Sequence, residues 1–241
     1  SAPDGYTLLM ATNSPLSAVP FMMKSPPYDA VKDFTPITRM GSFTLMLVVH
    51  PSIPATNMKE LIEYAKDHPG KLSFASANTS GIVAGETLKH WAEIDMLHVP
   101  YKSAPPALQD LIAGRVSMMF TDLTTGLPHV QSGKLRALAV QGTKRWPELP
   151  DVPTLTEAGF DGFPPAVWYG FLAPAKTPPA VVARLNAAIN QQVKTPEVQA
   201  AFAKLGIETR SLTPQEFGEV LVKERELWAL LAQQTGIKLA D

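Results

Sequence analysis

Short apolar runs of strand length alternate with helical patterns along most of the chain, and this alternation constrains the fold more than any other feature. The strand-like runs are 6–11, 44–49, 72–76, 96–100, 116–121, 135–140 and 167–173. Between them apolar residues recur every three or four positions, as in 57–70, where Pro69 and Gly70 end the pattern. Such alternation predicts an α/β fold with mainly parallel sheets.

The last seventy residues follow a different pattern, which is purely helical. Three segments open with a Thr-Pro pair, at 177–178, 195–196 and 213–214. Threonine caps the free N–H groups of a helix, and proline is tolerated at the first helical position because its missing N–H would be unbonded there. Thr213 and Glu216 also have the spacing of a capping box. We therefore expect three capped helices whose apolar stripes are packing faces.

Composition and charge exclude several functional classes. The 241 residues include 21 basic and 22 acidic side chains, so a net charge of −1 offers no long-range attraction for nucleic acid. The absence of cysteine excludes disulfides and thiolate metal sites, and it fits an oxidising compartment. No apolar run approaches the ~20 residues of a membrane span. The first residues lack the basic start and the cleavage pattern of a signal peptide.

Catalytic, metal and cofactor motifs are not found in the sequence. It has no G-x-S-x-G elbow, no phosphate loop and no dinucleotide fingerprint. Among the five histidines, only His90 shares a helical face with an acidic residue, Glu86, and a surface or capping role is favoured for that pair. Tyr101 and Lys102 are neighbours, and successive strand residues point to opposite faces, so they would not act on one atom. We expect no cofactor.

A strand followed by small polar residues and then a helix is the best functional signal. Its hydroxyls and backbone N–H groups would lie at the positive end of the helix, where an anion is favoured. The alternative is an ordinary helix cap without a ligand. The residues concerned are Ser76, Asn78, Thr79, Ser80 and Gly81.

Two further junctions between a strand and a helix repeat this design. In one, Ser103 and the N–H of Ala104 lie at the helix start, and two prolines limit the number of donors. In the other, Asp122 ends a strand. Ligands of open α/β sheets bind beside the carboxyl ends of strands, so the three junctions predict a binding cleft without a nucleophile. The rival hypothesis is an enzyme that uses Lys102 and Asp122 as an acid–base pair on a carboxylate substrate.

Several motifs in fixed order resemble the substrate-binding proteins of tripartite tricarboxylate transporters, the Bug-type family. They include APDGYTLLMAT, DFTPITRMG, VPYKS, LPDVPTLTEAGF and WYGFLAPAKTP, and together they span nearly the whole chain. The resemblance implies a periplasmic, two-lobed type II periplasmic binding protein that closes on a small organic acid. A di- or tricarboxylate or an aromatic acid would be delivered to a membrane permease. A module that senses its ligand without transport remains an alternative.

The resemblance also assigns ligand contacts to loops of both lobes. These loops carry Thr12, Asn13, Ser76, Asn78, Thr79, Ser80, Gly81, Tyr101, Lys102, Ser103, Ala104 and Asp122. Ser103 stands where the family usually has glycine, and the loop after residue 76 lacks the histidine of the commoner form. Both departures affect the expected identity of the ligand.

The family pattern predicts how the lobes divide. Residues 1–99 and 171–241 would form the first lobe and 100–170 the second, with hinge crossings near 98–101 and 168–171. Family members carry further strands before APDGYTLL, so the first lobe is expected to be truncated at its N-terminus. The strand 6–11 would then lie at a sheet edge, where its unpaired N–H and C=O groups invite self-association.

Overall fold

The chain forms two compact units, each with its own sheet and core. The computed structural model describes residues 1–23, 25–142, 144–160, 163 and 167–235. Unit 1 consists of Ser1–Phe43 and the chain from Val167 onward. Unit 2 begins at Thr44 and comes between these two segments in the sequence. None of the described helices is long and apolar enough to cross a membrane.

The strands and helices follow the sequence patterns closely. The strands are β1 Leu9–Thr12, β2 Phe34–Phe43, β3 Leu45–Val49, β4 Leu72–Ser76, β5 Met96–Pro100, β6 Met118–Asp122, β7 Arg136–Val140, β8 Val167–Pro174 and β9 Ile207–Thr209. A π-helix, Ser14–Ala18, precedes α1 Val19–Met22, α2 Met58–Asp67, α3 Thr79–Ala92, α4 Ala104–Ile112, α5 Leu123–Gln131, α6 Pro179–Val193, α7 Pro196–Lys204 and α8 Pro214–Thr235. Every predicted strand is present, whereas β2 and β9 are additional.

The sheet of unit 2 is mixed, with the strand order β5-β4-β6-β3-β7. Strand β4 pairs in parallel with β5 and β6, whereas β3 pairs antiparallel with β6 and with β7. The four strands that alternate with helices, β4 to β7, therefore run in one direction. Strand β3 has no crossover helix before it and runs in the opposite direction between β6 and β7.

The sheet of unit 1 has the order β1-β8-β2-β9, and all its pairings are antiparallel. The prediction of mainly parallel sheets is therefore wrong. The prediction of parallel direction holds only for the strands that are joined by crossover helices. Parallel neighbouring strands require such a connection. Strand β1 pairs with β8 alone among the described residues, so the prediction of an edge strand near the start of the chain is confirmed.

The expected lobe boundary after residue 99 differs from the observed division. Strands β3, β4 and β5 belong to the same sheet as β6 and β7, so the chain enters unit 2 at Thr44. The expected crossing at 98–101 lies largely within β5, and the one at 168–171 lies inside β8, a few residues after the observed division. Apolar runs identify strands but do not reveal which strands pair, and the first boundary was misplaced for that reason.

Helices cover both faces of the unit 2 sheet. Leu47 packs with Phe74 and the helices α2 and α3, and Val48 packs on the other face with α4. All five residues of β3 are buried because both of its faces are covered. A Cβ at Gly85 of α3 would collide with the ring of Phe74, so glycine allows this helix to approach the sheet closely.

The Thr-Pro pairs give two caps of the expected kind and one exception. Thr195 accepts a bond from the N–H of Val198 at the start of α7. Thr213 and Glu216 form the reciprocal bonds of a capping box before α8. Thr177 is not a cap, because α6 begins only at Pro179 and the hydroxyl of Thr177 donates to the carbonyl of Pro174 at 2.8 Å.

A buried carboxyl group lies in the core of unit 1. Trp168 of β8 is fully buried, and its indole Nε1 donates to both oxygens of Glu224 of α8 at 2.8 Å. The hydroxyl of Ser17 donates to the same carboxyl at 3.3 Å. Burial raises the pKa of Glu224 from its ordinary 4.5 to about 7, against the opposing effects of Trp168, Arg39 and Ser17. Between pH 4.5 and about 7, Glu224 is therefore protonated in the folded protein and ionised in the unfolded chain.

Glu224 should make the unfolding free energy fall as the pH rises. Because its pKa is raised in the folded state, its stabilising contribution is complete below pH 4.5 and lost as the pH rises through about 7. The loss is roughly 3 kcal/mol at 1.4 kcal/mol per pKa unit. In Glu224→Gln, whose amide oxygen still accepts from Trp168, this fall should disappear from urea unfolding measured between pH 4.5 and 8.

Glu226→Gln is the matched control, because Glu226 is exposed on the same helix. It should retain the pH dependence of the parent protein. Identical pH profiles for the parent and for Glu224→Gln would contradict the assignment.

Candidate ligand-binding site

The strand ends of unit 2 bring the predicted junctions to one edge of the sheet. Strands β4, β5 and β6 run in parallel and end at Ser76, Pro100 and Asp122. The N–H of Tyr101 donates to the carbonyl of Ser76 at 2.8 Å, which joins the first two loops. The residues predicted in unit 2 therefore lie along the carboxyl edge of β4, β5 and β6, where α/β proteins bind ligands.

The start of α3 is capped by a neutral side chain. Asn78 has extended backbone angles, and its Oδ1 accepts from the N–H of Gly81 at 2.8 Å. Asn78 and Gly81 were both predicted as ligand contacts, but these two groups bond to each other. Thr79 and Ser80, which are both half-buried, form the first turn at the positive end of the helix. This is where hydroxyl and N–H donors favour an anion.

Ser76 is buried beneath that first turn. It is 1% exposed, and its Oγ lies 2.7 Å from Nε2 of His98 on the neighbouring strand β5. The imidazole of His98 stacks on the ring of Phe74, with centroids 4.6 Å apart and planes 11° apart. Ser76 therefore supports the α3 loop from below, bonded to a histidine that the sequence did not single out.

The hydroxyl of Tyr101, a predicted ligand contact, forms a hydrogen bond within the protein instead. The hydroxyl donates to Oδ2 of Asp110 in α4 at 2.7 Å, and Arg115 binds the other carboxyl oxygen at 2.6 Å. Burial and the bond to Asp110 raise the pKa of Tyr101, while the bonds from Tyr101 and Arg115 lower the pKa of Asp110. The tyrosine thus fastens its loop to α4.

The start of α4 offers an exposed hydroxyl. Ser103 occupies the cap position with extended angles but makes no side-chain cap hydrogen bond, and both Ser103 and Lys102 are exposed. Ala104 is half-buried and is followed by Pro105 and Pro106, which have no N–H to donate. The donors at this junction are therefore few, as predicted, but the Ser103 side chain is not used by the helix itself.

The third junction already contains a protein carboxylate. Asp122 caps α5, and its two oxygens accept from the N–H of Thr125 at 2.9 Å and from the Thr125 hydroxyl at 3.0 Å. Its negative charge complements the positive end of the helix. A ligand carboxylate would meet like charge there, so Asp122 acts as a cap in this structure.

Unit 1 has a buried amide of its own at the end of β1. Thr12 ends that strand, and Asn13 precedes the π-helix. Asn13 is 1% exposed, and neither Oδ1 nor Nδ2 has a hydrogen-bond partner among the described residues. A buried polar group without a partner costs about 1–3 kcal/mol, and π-helical turns are frequent at functional sites. These two features favour a ligand-directed role for Asn13.

Sequence reasoning missed His98, whereas the surface role that it favoured for Glu86 and His90 agrees with the exposed position of His90. Glu86 forms an ion pair with Lys89 at 3.2 Å, and no group of three metal-binding side chains occurs in the described part of the chain. The signal for His98 was its position in β5, the strand next to the one that carries Ser76. This signal identifies the contact only when the register between the two strands is known.

Comparisons with known proteins identify close relatives. The family model described as the tripartite tricarboxylate transporter family receptor matches residues 1–237. The UPF0065 protein of the tcbD-tcbE intergenic region of Pseudomonas sp. (strain P51) is 38% identical over 231 residues, which are 95% of this chain and 68% of that protein. Protein BugT of Bordetella pertussis is 35% identical over 245 residues, covering 99% of this chain and 74% of its own length.

Solved structures match over nearly the whole chain. One described as a periplasmic transporter is 37% identical with a TM-score of 0.86, covering 100% of this chain and 81% of that chain. R. palustris Rpa4515 with adipate is 30% identical with a TM-score of 0.86, covering 99% and 80%. MatC (Rpa3494) from Rhodopseudomonas palustris with bound malate is 28% identical with a TM-score of 0.79, covering 96% and 80%. The predicted periplasmic-binding-protein fold is confirmed.

The two helix starts should respond differently to loss of their cap side chains. Asn78→Ala removes the bond to Gly81 and should lower the unfolding free energy by about 1 kcal/mol, whereas Ser103→Ala removes no cap bond and should leave it nearly unchanged. Urea unfolding measures both. A loss for Ser103→Ala equal to that for Asn78→Ala would show that Ser103 is also a structural cap.

Proposed function

Because the chain belongs to the tripartite tricarboxylate transporter receptor family, whose members are solute-binding receptors and not enzymes, we propose that it captures a small organic carboxylate in the periplasm and delivers it to a membrane permease. The observation that carries the proposal is the start of α3. There Asn78 provides a neutral cap, and Thr79 and Ser80 form a polar first turn. This arrangement attracts an anion without supplying a nucleophile.

The ligand class follows from two sources of support. Relatives of known structure hold adipate and malate, which are dicarboxylates. The expected range is therefore a di- or tricarboxylate, with an aromatic acid as a further candidate. Neutral donors suit a carrier, because each hydrogen bond to a charged group contributes roughly 1.5–3 kcal/mol. Two or three such bonds give about micromolar affinity after the costs of association.

The predicted site residues have different roles in this proposal. Thr79, Ser80 and Ser103 are the direct contacts that we propose in unit 2, because they lie at the starts of α3 and α4, where an anion is favoured. Lys102 and the N–H of Ala104 add positive potential and one donor. In unit 1, Asn13 is the group best placed to bind a ligand, because its buried amide has no partner among the described residues.

The enzyme hypothesis finds no support in the site. The carboxylate of Asp122 is engaged by Thr125 at both oxygens, and Lys102 is exposed. A sensing module would use the same binding chemistry, so it differs only in the partner that recognises the bound protein. Because the family is that of transporter receptors, we propose a membrane permease as the partner.

Self-association through β1 is a second proposed partnership. Within the described part of the chain, one edge of β1 pairs with no other strand, and Met10 is 56% and Tyr6 94% exposed. An apolar groove of about 500 Å³ beside it is lined by residues that include Leu8, Leu9 and Phe34. Two copies could pair their edges and bury these side chains together.

The α3 start should determine affinity. Thr79→Ala with Ser80→Ala removes two hydroxyl donors and should weaken dicarboxylate binding by at least roughly tenfold, as expected for the loss of one strong hydrogen bond. Calorimetry with adipate, malate and a tricarboxylate measures this. Thr195→Ala, which removes the hydroxyl cap of α7 in unit 1, should leave affinity unchanged. Unchanged affinity in the double variant would place the site elsewhere.

The β1 edge should control the oligomeric state. Light scattering at increasing concentration should detect dimers, and Met10→Lys should prevent them because a charge cannot be buried in the apolar groove. Leu97→Lys is the matched control, since Leu97 is 63% exposed on β5, the edge strand of the other sheet. A monomer at every concentration, or dimers lost only in Leu97→Lys, would refute this interface.

A further inference from the structure

The Ser76–His98 pair belongs to a stack that runs from α3 to β5. Gly85 lets α3 lie directly against the ring of Phe74, and the imidazole of His98 stacks on that ring. From this position Nε2 of His98 reaches Oγ of Ser76 at 2.7 Å. Ser76 in turn lies beneath the first turn of α3, where its Cβ would be 3.6 Å from a Cβ built on Gly81. The imidazole is therefore fixed by stacking and linked to the helix start.

We propose that His98 is a positioning residue for carboxylate capture, which holds Ser76 beneath the start of α3 through an Nε2–H donor and links anion binding to its own protonation. The inference rests on the proposed function, because it concerns the same anion site. We assign the hydrogen of the neutral ring to Nε2, so that Oγ of Ser76 accepts from the ring and keeps its own hydrogen for the loop. Protonation adds a positive charge near the end of the helix that already attracts anions.

The charges around His98 set the direction of the linkage. Burial lowers the pKa of His98 below its ordinary 6.5, Glu86 raises it and Lys89 lowers it. Glu86 and Lys89 are both on α3 and paired at 3.2 Å, and strand β4 presents Phe74 and Ser76, which are uncharged. Near neutral pH the imidazole is therefore neutral. The negative charge of a bound carboxylate would favour the protonated form.

Linkage gives this coupling a definite sign. An anion that favours imidazolium raises the pKa of His98, and protonation must strengthen anion binding by the same factor. The gain in affinity is complete below the pKa of the free protein and is lost as the pH rises through the higher pKa of the complex. The complete gain should be roughly fivefold, at the low end of ordinary coupling between sites, and affinity should rise toward it as the pH falls from 7.5 to 5.5.

Nitrogen NMR of the imidazoles tests the geometry without any ligand. In the free protein at pH 7.5, His98 should be the Nε2–H tautomer, and adipate or malate should raise its pKa. The Nδ1–H tautomer, or a pKa that does not move when ligand binds, would overturn the proposal. The tautomer is measured whether or not a carboxylate binds, so this arm is independent of the proposed function.

Calorimetry of variants at pH 5.5 and 7.5 tests the linkage. His98→Gln can still donate to Ser76 and cannot titrate, so it should keep the affinity at pH 7.5 and lose the gain at pH 5.5. His98→Phe keeps the stacking but loses the donor, and should bind more weakly at both pH values while still unfolding cooperatively. His90→Gln, on the exposed surface of α3, should behave like the parent protein.

The outcomes separate the two proposals. Titration of the ligand itself is common to all variants, so differences between variants isolate His98. Absence of binding by adipate, malate, a tricarboxylate and an aromatic acid would refute the proposed function. Binding with the same pH dependence in the parent and in His98→Gln, or full affinity in His98→Phe, would overturn only the role of His98.

Discussion

Parallel pairing around β4 is the constraint on which the rest of unit 2 depends. Strand β4 pairs in parallel with β5 on one side and with β6 on the other, so the carboxyl ends of these three strands share one edge of the sheet. The loops that begin α3, α4 and α5 follow β4, β5 and β6, and they are adjacent for that reason. The buried antiparallel strand β3 lies between β6 and β7 and gives β7 the same direction. The adjacent helix starts are therefore a consequence of how β4 pairs with its two neighbours.

Those helix starts differ in charge, and the difference decides their chemistry. Asp122 places a carboxylate at the positive end of α5, whereas Asn78 satisfies α3 with a neutral amide. A neutral cap leaves the helix dipole uncompensated and therefore available to an external anion. The choice of amide or carboxylate at a cap thus distinguishes the anion site that we propose at α3 from the structural turn at α5, although both positions follow the same rule for N-caps.

Local features were largely predictable from the sequence, and pairings were not. The capping box of Thr213 and Glu216 needs only four residues, and it is present as predicted. Strand β2 was not predicted because Pro36 and Gly41 resemble strand breakers. Both lie beside register shifts against β8, which accommodate them as bulges. His98 likewise became significant only through its register with Phe74, which depends on distant parts of the chain.

The buried bond between Trp168 and Glu224 gives unit 1 an internal optical probe. The indole N–H points at a carboxyl group that changes charge near neutral pH, in a core where water does not screen the change. The emission of this tryptophan therefore depends on a single proton held inside the protein. The chain has four tryptophans, so the part of the emission that changes with pH in the parent protein and not in Glu224→Gln reads the charge of the core, without an added label and without unfolding the chain.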